Sequence, residues 1–256
     1  MAAVRFRFYE ELNDFLPPAQ RKVEFEHSFD RRTSIKDMIE SLGVPHPEVE
    51  LILVNGQPVD FSRIVEDGDR ISVYPVFESL DITPLVRLRP TPLRNPKFVV
   101  DCNLGRLARY LRLLGFDCLY RNDYRDADVA MLSQQQQRIV LTRDRRLLQY
   151  KIIDHGLFVR STDPKAQVRE VLKRLDLYRL AKPFTRCTRC NGVLETVPKA
   201  LVEAQLQPKT RRYYKVFRQC RDCRQVYWQG SHYDRTLRLV DEFLEVPGKN
   251  PDNAAP

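Results

Sequence analysis

The sequence contains no run of about 18 consecutive apolar residues, which is the length that a membrane-spanning helix needs. Its first residues also lack the apolar segment of a secretion signal. We therefore expect a cytoplasmic protein without a membrane partner. The composition, 43% hydrophobic and 30% charged, is typical of a soluble globular protein, and 256 residues are enough for two domains.

Cysteine is scarce, and four of the six cysteines form two Cys-x-x-Cys pairs. In a reducing compartment such pairs indicate a metal site more often than disulfides. Four thiolates can hold a tetrahedral Zn²⁺ with no open position, so we expect a structural zinc site. A redox dithiol is the alternative interpretation. The expected zinc ligands are Cys187, Cys190, Cys220 and Cys223. Cys102 and Cys118 are expected to be ordinary buried thiols.

The first 80 residues have no excess of positive charge: they carry nine basic and 15 acidic side chains, so their net charge is negative. The remaining residues carry 34 basic and 19 acidic side chains. A strongly basic body favours a polyanionic partner, and nucleic acid is the common one. A merely basic soluble surface is the alternative.

Residues 1–79 show the order strand, strand, helix, strand, strand, which is typical of a β-grasp domain. The predicted elements are strands at 4–9, 21–25, 51–54 and 70–76 and a helix at 35–42. Four prolines in residues 80–96 predict an extended linker to the next domain.

The segments Leu-Val-Asn-Gly at 53–56 and Glu-Asp-Gly-Asp-Arg-Ile at 66–71 resemble the small ubiquitin-like sulfur carriers of thiamine and molybdopterin synthesis. Those carriers end in a working Gly-Gly, which this segment lacks. Two roles remain open for this head: it docks a protein partner, or it covers a face of the rest of the chain.

In residues 97–180, strands and helices alternate four times, which predicts a small parallel α/β sheet. An aspartate follows each strand or begins the next helix, and these ends meet at the ligand-binding edge of such sheets. Clustered carboxylates favour a Mg²⁺ or Mn²⁺ site. Asp163 is instead expected to cap its helix. The helix at 104–114 has an apolar face, and Arg106, Arg109 and Arg112 are expected on the opposite, basic face.

The segments FVVDCNLGRLARYLR at 98–112 and RIVLTRD at 138–144, with Asp126 between them, resemble the PIN-like ribonuclease domain of the Mut7-C family. The resemblance extends to the β-grasp head and the cysteine pairs. It implies metal-dependent RNA cleavage in which Asp101, Asp126 and Asp144 hold the catalytic metal, with Asp128 as a substitute for Asp126. Longer PIN nucleases carry a further glutamate, and residues 102–125 contain none. Whether one metal or two are bound, or RNA is bound without cleavage, stays open.

Residues 181–244 are predicted to form a zinc-ribbon module, with a returning strand at 213–217 and a disordered tail at 245–256. Between 181 and 240 there are 13 basic and four acidic residues, interleaved with aromatic ones. Basic side chains track phosphates and aromatic rings stack on unpaired bases, so single-stranded RNA is the expected ligand. The RNA-binding candidates are Arg106, Arg109, Arg143, Arg211, Arg212, Lys215 and Trp228.

The expected protein is thus an enzyme, a Mg²⁺- or Mn²⁺-dependent ribonuclease with a basic zinc ribbon for RNA binding. The alternative is a non-catalytic RNA- or ribonucleoprotein-binding module whose β-grasp head docks a protein partner.

Overall fold

The computed structural model describes residues 1–75, 96–230 and 233–245. The linker predicted at 80–96 and the tail predicted at 245–256 lie, apart from residues 96 and 245, outside these ranges. The first 75 residues contain five strands and one α-helix: β1 (Ala2–Phe8), β2 (Phe25–Phe29), α1 (Ile35–Ser41), β3 (Val49–Val54), β4 (Gln57–Val59) and β5 (Arg70–Pro75).

The middle of the chain alternates strands and helices, as the sequence predicts. Its elements are β6 (Lys97–Val100), α2 (Gly105–Leu113), β7 (Asp117–Leu119), α3 (Asp126–Gln136), β8 (Ile139–Thr142), α4 (Arg145–Leu148), β9 (Gly156–Phe158) and α5 (Pro164–Arg174).

The last part of the described chain holds three short strands and three helices. They are β10 (Leu194–Val197), α6 (Lys199–Val202), α7 (Pro208–Tyr213), β11 (Phe217–Cys220), β12 (Val226–Trp228) and α8 (Tyr233–Leu244). Residues 213–217, predicted as a strand, instead end α7 and lead into β11, so this prediction is wrong. Pro208 starts α7 at a position where its missing N–H is not needed. No helix within the described ranges is long and apolar enough to cross a membrane.

The chain divides into two compact units, each built from two separate segments. The first unit comprises residues 1–103 and 122–159, and the second comprises residues 104–121 and 160–256. The β-grasp head and strands β6, β8 and β9 therefore belong to the first unit. Helices α2, α5 and α8 and the cysteine-bearing strands belong to the second.

The head in the first unit is a five-stranded sheet in the order β2-β1-β5-β3-β4, with β1 and β5 parallel and α1 packed on it. This is the predicted β-grasp fold. Alternating residues of β1, including Phe6 and Phe8, fill its core. The second strand lies at Phe25–Phe29 instead of residues 21–25, because Phe25 to Phe29 pair with β1. The position predicted for that strand is therefore wrong.

Strands β6, β8 and β9 of the first unit pair in parallel, in that order. Val99 and Val140 lie opposite each other in the register, and both are fully buried. A strand that is buried on both faces has apolar residues at consecutive positions, which explains why residues 98–100 and 139–141 are all apolar. The predicted parallel sheet is confirmed.

The head contacts β9 and the segment that precedes it, inside the first unit. The carboxylate of Glu48, only 1% exposed, accepts a hydrogen bond from the backbone N–H of Phe158 in β9. The His46 ring bridges the Glu40 carboxylate at 2.6 Å and the Ile153 carbonyl at 2.9 Å. β9 is the edge strand of its sheet, and an edge strand with unpaired backbone groups can pair with another chain. The contacts of the head cover part of this edge.

The second unit packs α2 against α5, and α5 against α8. Glu242 of α8 is ion-paired with Lys165 of α5 at 3.0 Å and also with Arg169. Strands β10, β11 and β12 form an antiparallel sheet in that order, with Phe217 buried in a small apolar cluster. This small sheet carries the cysteine pairs.

Candidate functional site

Asp101 directly follows β6 and is 5% exposed. Its backbone N–H donates to the carbonyl of Leu141 at 3.0 Å, which extends the pairing of β6 with β8 by one step. The side-chain Oδ2 accepts a hydrogen bond of 2.7 Å from the hydroxyl of Thr142. The buried strand therefore delivers this carboxylate to the carboxyl edge of the sheet.

Asp144 lies two residues beyond the end of β8. Its backbone N–H donates to the Oγ1 of Thr142 at 2.9 Å, and its Oδ1 accepts from the backbone N–H of Arg146 at 2.8 Å as the N-cap of α4. One fully buried hydroxyl, that of Thr142, therefore contacts both strand-end acids. The sequence offered Thr142 only as a residue of the strand, because nothing in its spacing marks this role.

Asp126 is the first residue of α3, and the N-cap is Arg125. The sequence pattern places Asp126 where the N-cap of this helix should be, and this prediction is wrong by one residue. Burial raises the pKa of the Asp126 carboxyl, and the negative charges of Asp144 and Asp101 raise it further. The three acids are thus near enough to repel one another.

Asp128, the alternative to Asp126, has a different environment. Its Oδ2 accepts from the backbone N–H of Arg125 at 3.0 Å, which caps the start of α3. The guanidinium of Arg125 also contacts this carboxylate, at 3.2 and 3.3 Å. Because the cap and the ion pair engage Asp128, Asp126 is the better placed of the two acids for a metal.

The chemistry of this donor set fits a hard divalent cation. The carboxylates of Asp101, Asp126 and Asp144 lie near one edge of the sheet: burial raises the pKa of Asp126, and the charges of Asp144 and Asp101 raise it further. These acids are more widely spaced than the four paired cysteines, whose ligand atoms lie within 4.8 Å of one another. Mg²⁺ and Mn²⁺ prefer oxygen ligands and relieve repulsion between carboxylates. These three residues could therefore hold one.

Asp163, the fourth aspartate of the pattern, belongs to the second unit. Its Oδ2 accepts from the backbone N–H of Ala166 at 2.8 Å, as the N-cap of α5. The expectation that Asp163 caps a helix agrees with this geometry.

The four paired cysteines form a second candidate metal site, in the second unit. Their Sγ atoms all lie within 4.8 Å of one another, as tetrahedral Zn²⁺ requires. Cys187 and Cys223 are 3.6 Å apart, and Cys190 and Cys220 are 3.4 Å apart. These four residues could therefore hold zinc. Of the other two cysteines, Cys118 is buried as expected, whereas Cys102 is only half-buried.

Tyr227 supports this site from outside, with its hydroxyl 3.0 Å from the Sγ of Cys187. Burial raises the pKa of Cys187, but the hydrogen bond from Tyr227 and those from the backbone N–H groups of Cys190 and Arg189 outweigh it and lower that pKa to about 7. Burial and the same contact raise the pKa of Tyr227 to about 12. The hydroxyl therefore remains a donor to a thiolate at neutral pH.

Arg112 anchors the first cysteine loop to α2. The side chain is 4% exposed, and its guanidinium donates to the carbonyl of Cys118 at 2.8 Å and to that of Arg189 at 2.9 Å. The expectation that Arg112 lies on an open basic face is therefore wrong. The physical reason is that backbone carbonyls of β7 and the cysteine loop accept hydrogen bonds from the guanidinium, which compensates for its burial.

The RNA-binding candidates fall into three places. Arg106, Arg109 and Trp228 line one groove of the second unit. Arg211, Arg212 and Lys215 are exposed, on or just after α7, and outside the lining of that groove. Arg143 lies in the first unit and donates to the Val159 carbonyl at 3.2 Å.

Two family models match the chain. The model described as Mut7-C RNAse domain matches residues 96–240, and the one described as Mut7-C ubiquitin matches residues 1–81. No curated protein and no solved structure matched the chain.

Proposed function

The chain belongs to the Mut7-C RNAse domain family, and from this premise we propose that it is a metal-dependent ribonuclease. The observation that carries the proposal is geometric: the buried Thr142 hydroxyl contacts both Asp101 and Asp144. Burial raises the pKa of Asp126, and the charges of Asp144 and Asp101 raise it further, which supports their proximity. Asp101, Asp126 and Asp144 would hold Mg²⁺ or Mn²⁺. The bound ion would activate a water and stabilise the leaving oxygen of the phosphodiester.

The residues around the acids supply the positioning. The hydroxyl of Thr142 holds Oδ2 of Asp101, and the N–H of Arg146 holds Oδ1 of Asp144. Each contact fixes one oxygen of its carboxylate. A site fixed in this way before metal or substrate binds loses little free energy to reorganisation.

The cysteine cluster supplies a structural element in this proposal. Four thiolates of Cys187, Cys190, Cys220 and Cys223 would close the coordination of one Zn²⁺, which leaves no position for substrate. Since the surrounding second unit is basic, the ribbon would contribute to holding RNA in a cytoplasmic enzyme.

Metal dependence tests the proposal. Labelled single-stranded RNA should remain intact with protein freed of divalent ions by a mild chelator, and should be cleaved when Mn²⁺ is added in excess. Cleavage that is equally fast without divalent ions would overturn the role of the acids. Zinc content, measured before and after, keeps loss of the ribbon from being mistaken for loss of the catalytic ion.

A second candidate function is favoured by one observation, the absence of glutamate from residues 102–125. With a thinner acidic site, the protein would bind RNA, or a ribonucleoprotein, without cleaving it. The head would then serve as the protein-docking module, although His46 and Glu48 are already engaged with Ile153 and Phe158. Unchanged RNA across a panel of substrates with Mn²⁺ present would favour this second function.

A further inference from the structure

A groove of about 1000 Å³ opens in the second unit, lined by α2, the β10-β11-β12 sheet and α8. Four of its lining residues are arginines and five are aromatic, and no Asp or Glu of the described residues is among them. Ligand pockets measure about 300–1,000 Å³, so this groove is at the upper end of that range.

The four arginines of the groove are not equivalent. Arg186 is ion-paired with Asp117 at 3.2 Å and donates to the carbonyl of Asn191 at 2.9 Å. Arg218 donates to the carbonyl of Phe184 at 2.6 Å. Both guanidiniums therefore have structural roles.

Arg106 and Arg109, one turn apart on α2, are different. Both are exposed, and neither guanidinium has a hydrogen-bond or ion-pair partner within residues 1–75, 96–230 and 233–245. Two positive charges without a partner, at the rim of a groove without acids, are complementary to phosphate groups.

The aromatic side of the groove presents one large ring to solvent. Trp228 at the end of β12 is 39% exposed. A Cβ atom added at Gly230 would lie 2.7 Å from Nε1 of Trp228, so the glycine allows the chain to pass close beside the indole. An exposed indole held at its edge is a platform on which a base can stack.

We propose that this groove binds a segment of single-stranded RNA, with an unpaired base stacked on Trp228 and flanking phosphates on Arg106 and Arg109. The inference rests on the proposed function only in that the ligand is the same RNA. A duplex keeps its bases stacked on one another and cannot offer a free face to the indole. An acidic peptide would satisfy the arginines but would leave the aromatic wall without a partner.

Trp228 is the only tryptophan of the chain, so its fluorescence reports on this groove alone. The full-length Asp101→Asn/Asp144→Asn chain, in which cleavage is suppressed, is titrated with a single-stranded oligouridylate. The expected result is quenching of Trp228 emission, with a midpoint equal to that from the anisotropy of labelled RNA. RNA that binds by anisotropy without changing the emission overturns the proposal.

Variants separate stacking from general charge. Trp228→Ala should weaken RNA binding at least about fivefold, as loss of one stacked base does, and Trp228→Phe should restore most of it. Arg106→Gln/Arg109→Gln should lower the slope of log affinity against log salt by about 1.4, since each phosphate contact on a single strand contributes about 0.7. Lys173→Gln/Arg179→Gln removes the same charge at exposed positions outside the groove lining and should leave the quenching amplitude unchanged.

Competitors decide the nature of the ligand. A duplex of the same length should not quench Trp228, and polyglutamate should not displace the oligouridylate at equal charge concentration. Displacement by polyglutamate, or equal quenching by the duplex, contradicts the proposal. Failure of quenching with intact metal-dependent cleavage removes this groove but not the ribonuclease. If RNA quenches Trp228 emission but the wild-type protein cleaves no RNA, the groove proposal holds and the ribonuclease proposal fails.

Discussion

The hydroxyl of Thr142 donates a hydrogen bond of 2.7 Å to the carboxylate of Asp101. The same oxygen accepts a hydrogen bond of 2.9 Å from the backbone N–H of Asp144. The parallel pairing of β6 and β8 brings the acids at their ends to the same edge of the sheet. One buried hydroxyl thereby sets the position of two candidate metal ligands relative to each other.

Thr142→Val keeps the β-branched shape and removes this hydroxyl. We expect unfolding free energy to fall by about 1–3 kcal/mol, because a buried N–H and a carboxylate oxygen lose their partner. The single-turnover cleavage rate should fall while RNA affinity is unchanged, since Thr142 positions Asp101. Urea unfolding and single-turnover kinetics measure the two effects.

Thr142→Ser is the matched control, because it retains the hydroxyl and should retain most of the rate. If Thr142→Val and Thr142→Ser cleave RNA equally fast, the hydroxyl has no positioning role.

Asp126→Asn should stabilise the metal-free protein. The folded-state pKa of Asp126 is raised above the ordinary value of 3.8, first by burial and then by Asp144 and Asp101, so its ionised form is unfavourable in the folded state. The gain at neutral pH should be a few tenths of a kcal/mol, the size of one solvent-screened charge interaction, or about 1 °C in melting temperature. As the pH falls through the raised pKa, wild-type Asp126 takes up a proton and the difference should vanish.

Saturating Mn²⁺ should reverse this order. At a concentration of 100 times Kd, a ligand that binds only the folded state adds about 2.7 kcal/mol, or roughly 5–10 °C for a chain of this size. Asp126→Asn should lose most of that shift. Asp128→Asn is the comparison: it weakens the α3 cap and should keep the Mn²⁺ shift. If Asp128→Asn loses the Mn²⁺ shift and Asp126→Asn keeps it, the metal is held by Asp128 and not by Asp126.

The cysteine cluster should bind about one zinc per chain, measured by elemental analysis of freshly reduced protein. Tyr227→Phe removes the hydroxyl 3.0 Å from the Sγ of Cys187. Loss of such an outer contact typically lowers metal affinity about 10- to 100-fold, which competition with a chromogenic chelator can measure. Tyr213→Phe, on an exposed ring, should leave zinc affinity as it is. If Tyr227→Phe and Tyr213→Phe bind zinc with equal affinity, the Tyr227 hydroxyl does not stabilise the zinc site.

The contact between Glu48 and the N–H of Phe158 should hold the head on the edge strand β9. Glu48→Leu leaves that N–H without an acceptor and should cost about 1–3 kcal/mol of unfolding free energy. Glu48→Gln retains a carbonyl that can accept, and should cost less. Amide hydrogen exchange at Phe158 reports the contact directly: exchange as slow in Glu48→Leu as in wild type would show that another group protects this N–H.

Much of this architecture follows from local patterns. Apolar strand runs that end in Asp101 and Asp144 predict both strands and their acids, because a buried parallel strand reads as continuous apolar sequence. The cysteine spacing also predicts the thiolate cluster, because each Cys-x-x-Cys pair is a local feature that lies in one short loop. The β-grasp head follows from alternation and turn residues.

Long-range pairing explains what local patterns missed. The second strand lies at Phe25–Phe29 because β1 selects that register, which is a contact between distant segments. Arg112 is buried because backbone carbonyls more than 70 residues away accept hydrogen bonds from its guanidinium. The role of Thr142 depends on Asp101, 41 residues earlier, and no spacing rule marks such a pair.

We propose that Asp101, Asp126 and Asp144 together make a metal-dependent centre that cleaves RNA. The most direct test of this proposal is the cleavage rate of labelled single-stranded RNA in Mn²⁺ by wild type, by Asp101→Asn/Asp144→Asn and by Asp163→Asn. Asparagine is also a good N-cap, so Asp163→Asn should cleave at the wild-type rate. We expect the double variant to bind RNA and leave it intact. Cleavage by the double variant at the wild-type rate would contradict the account.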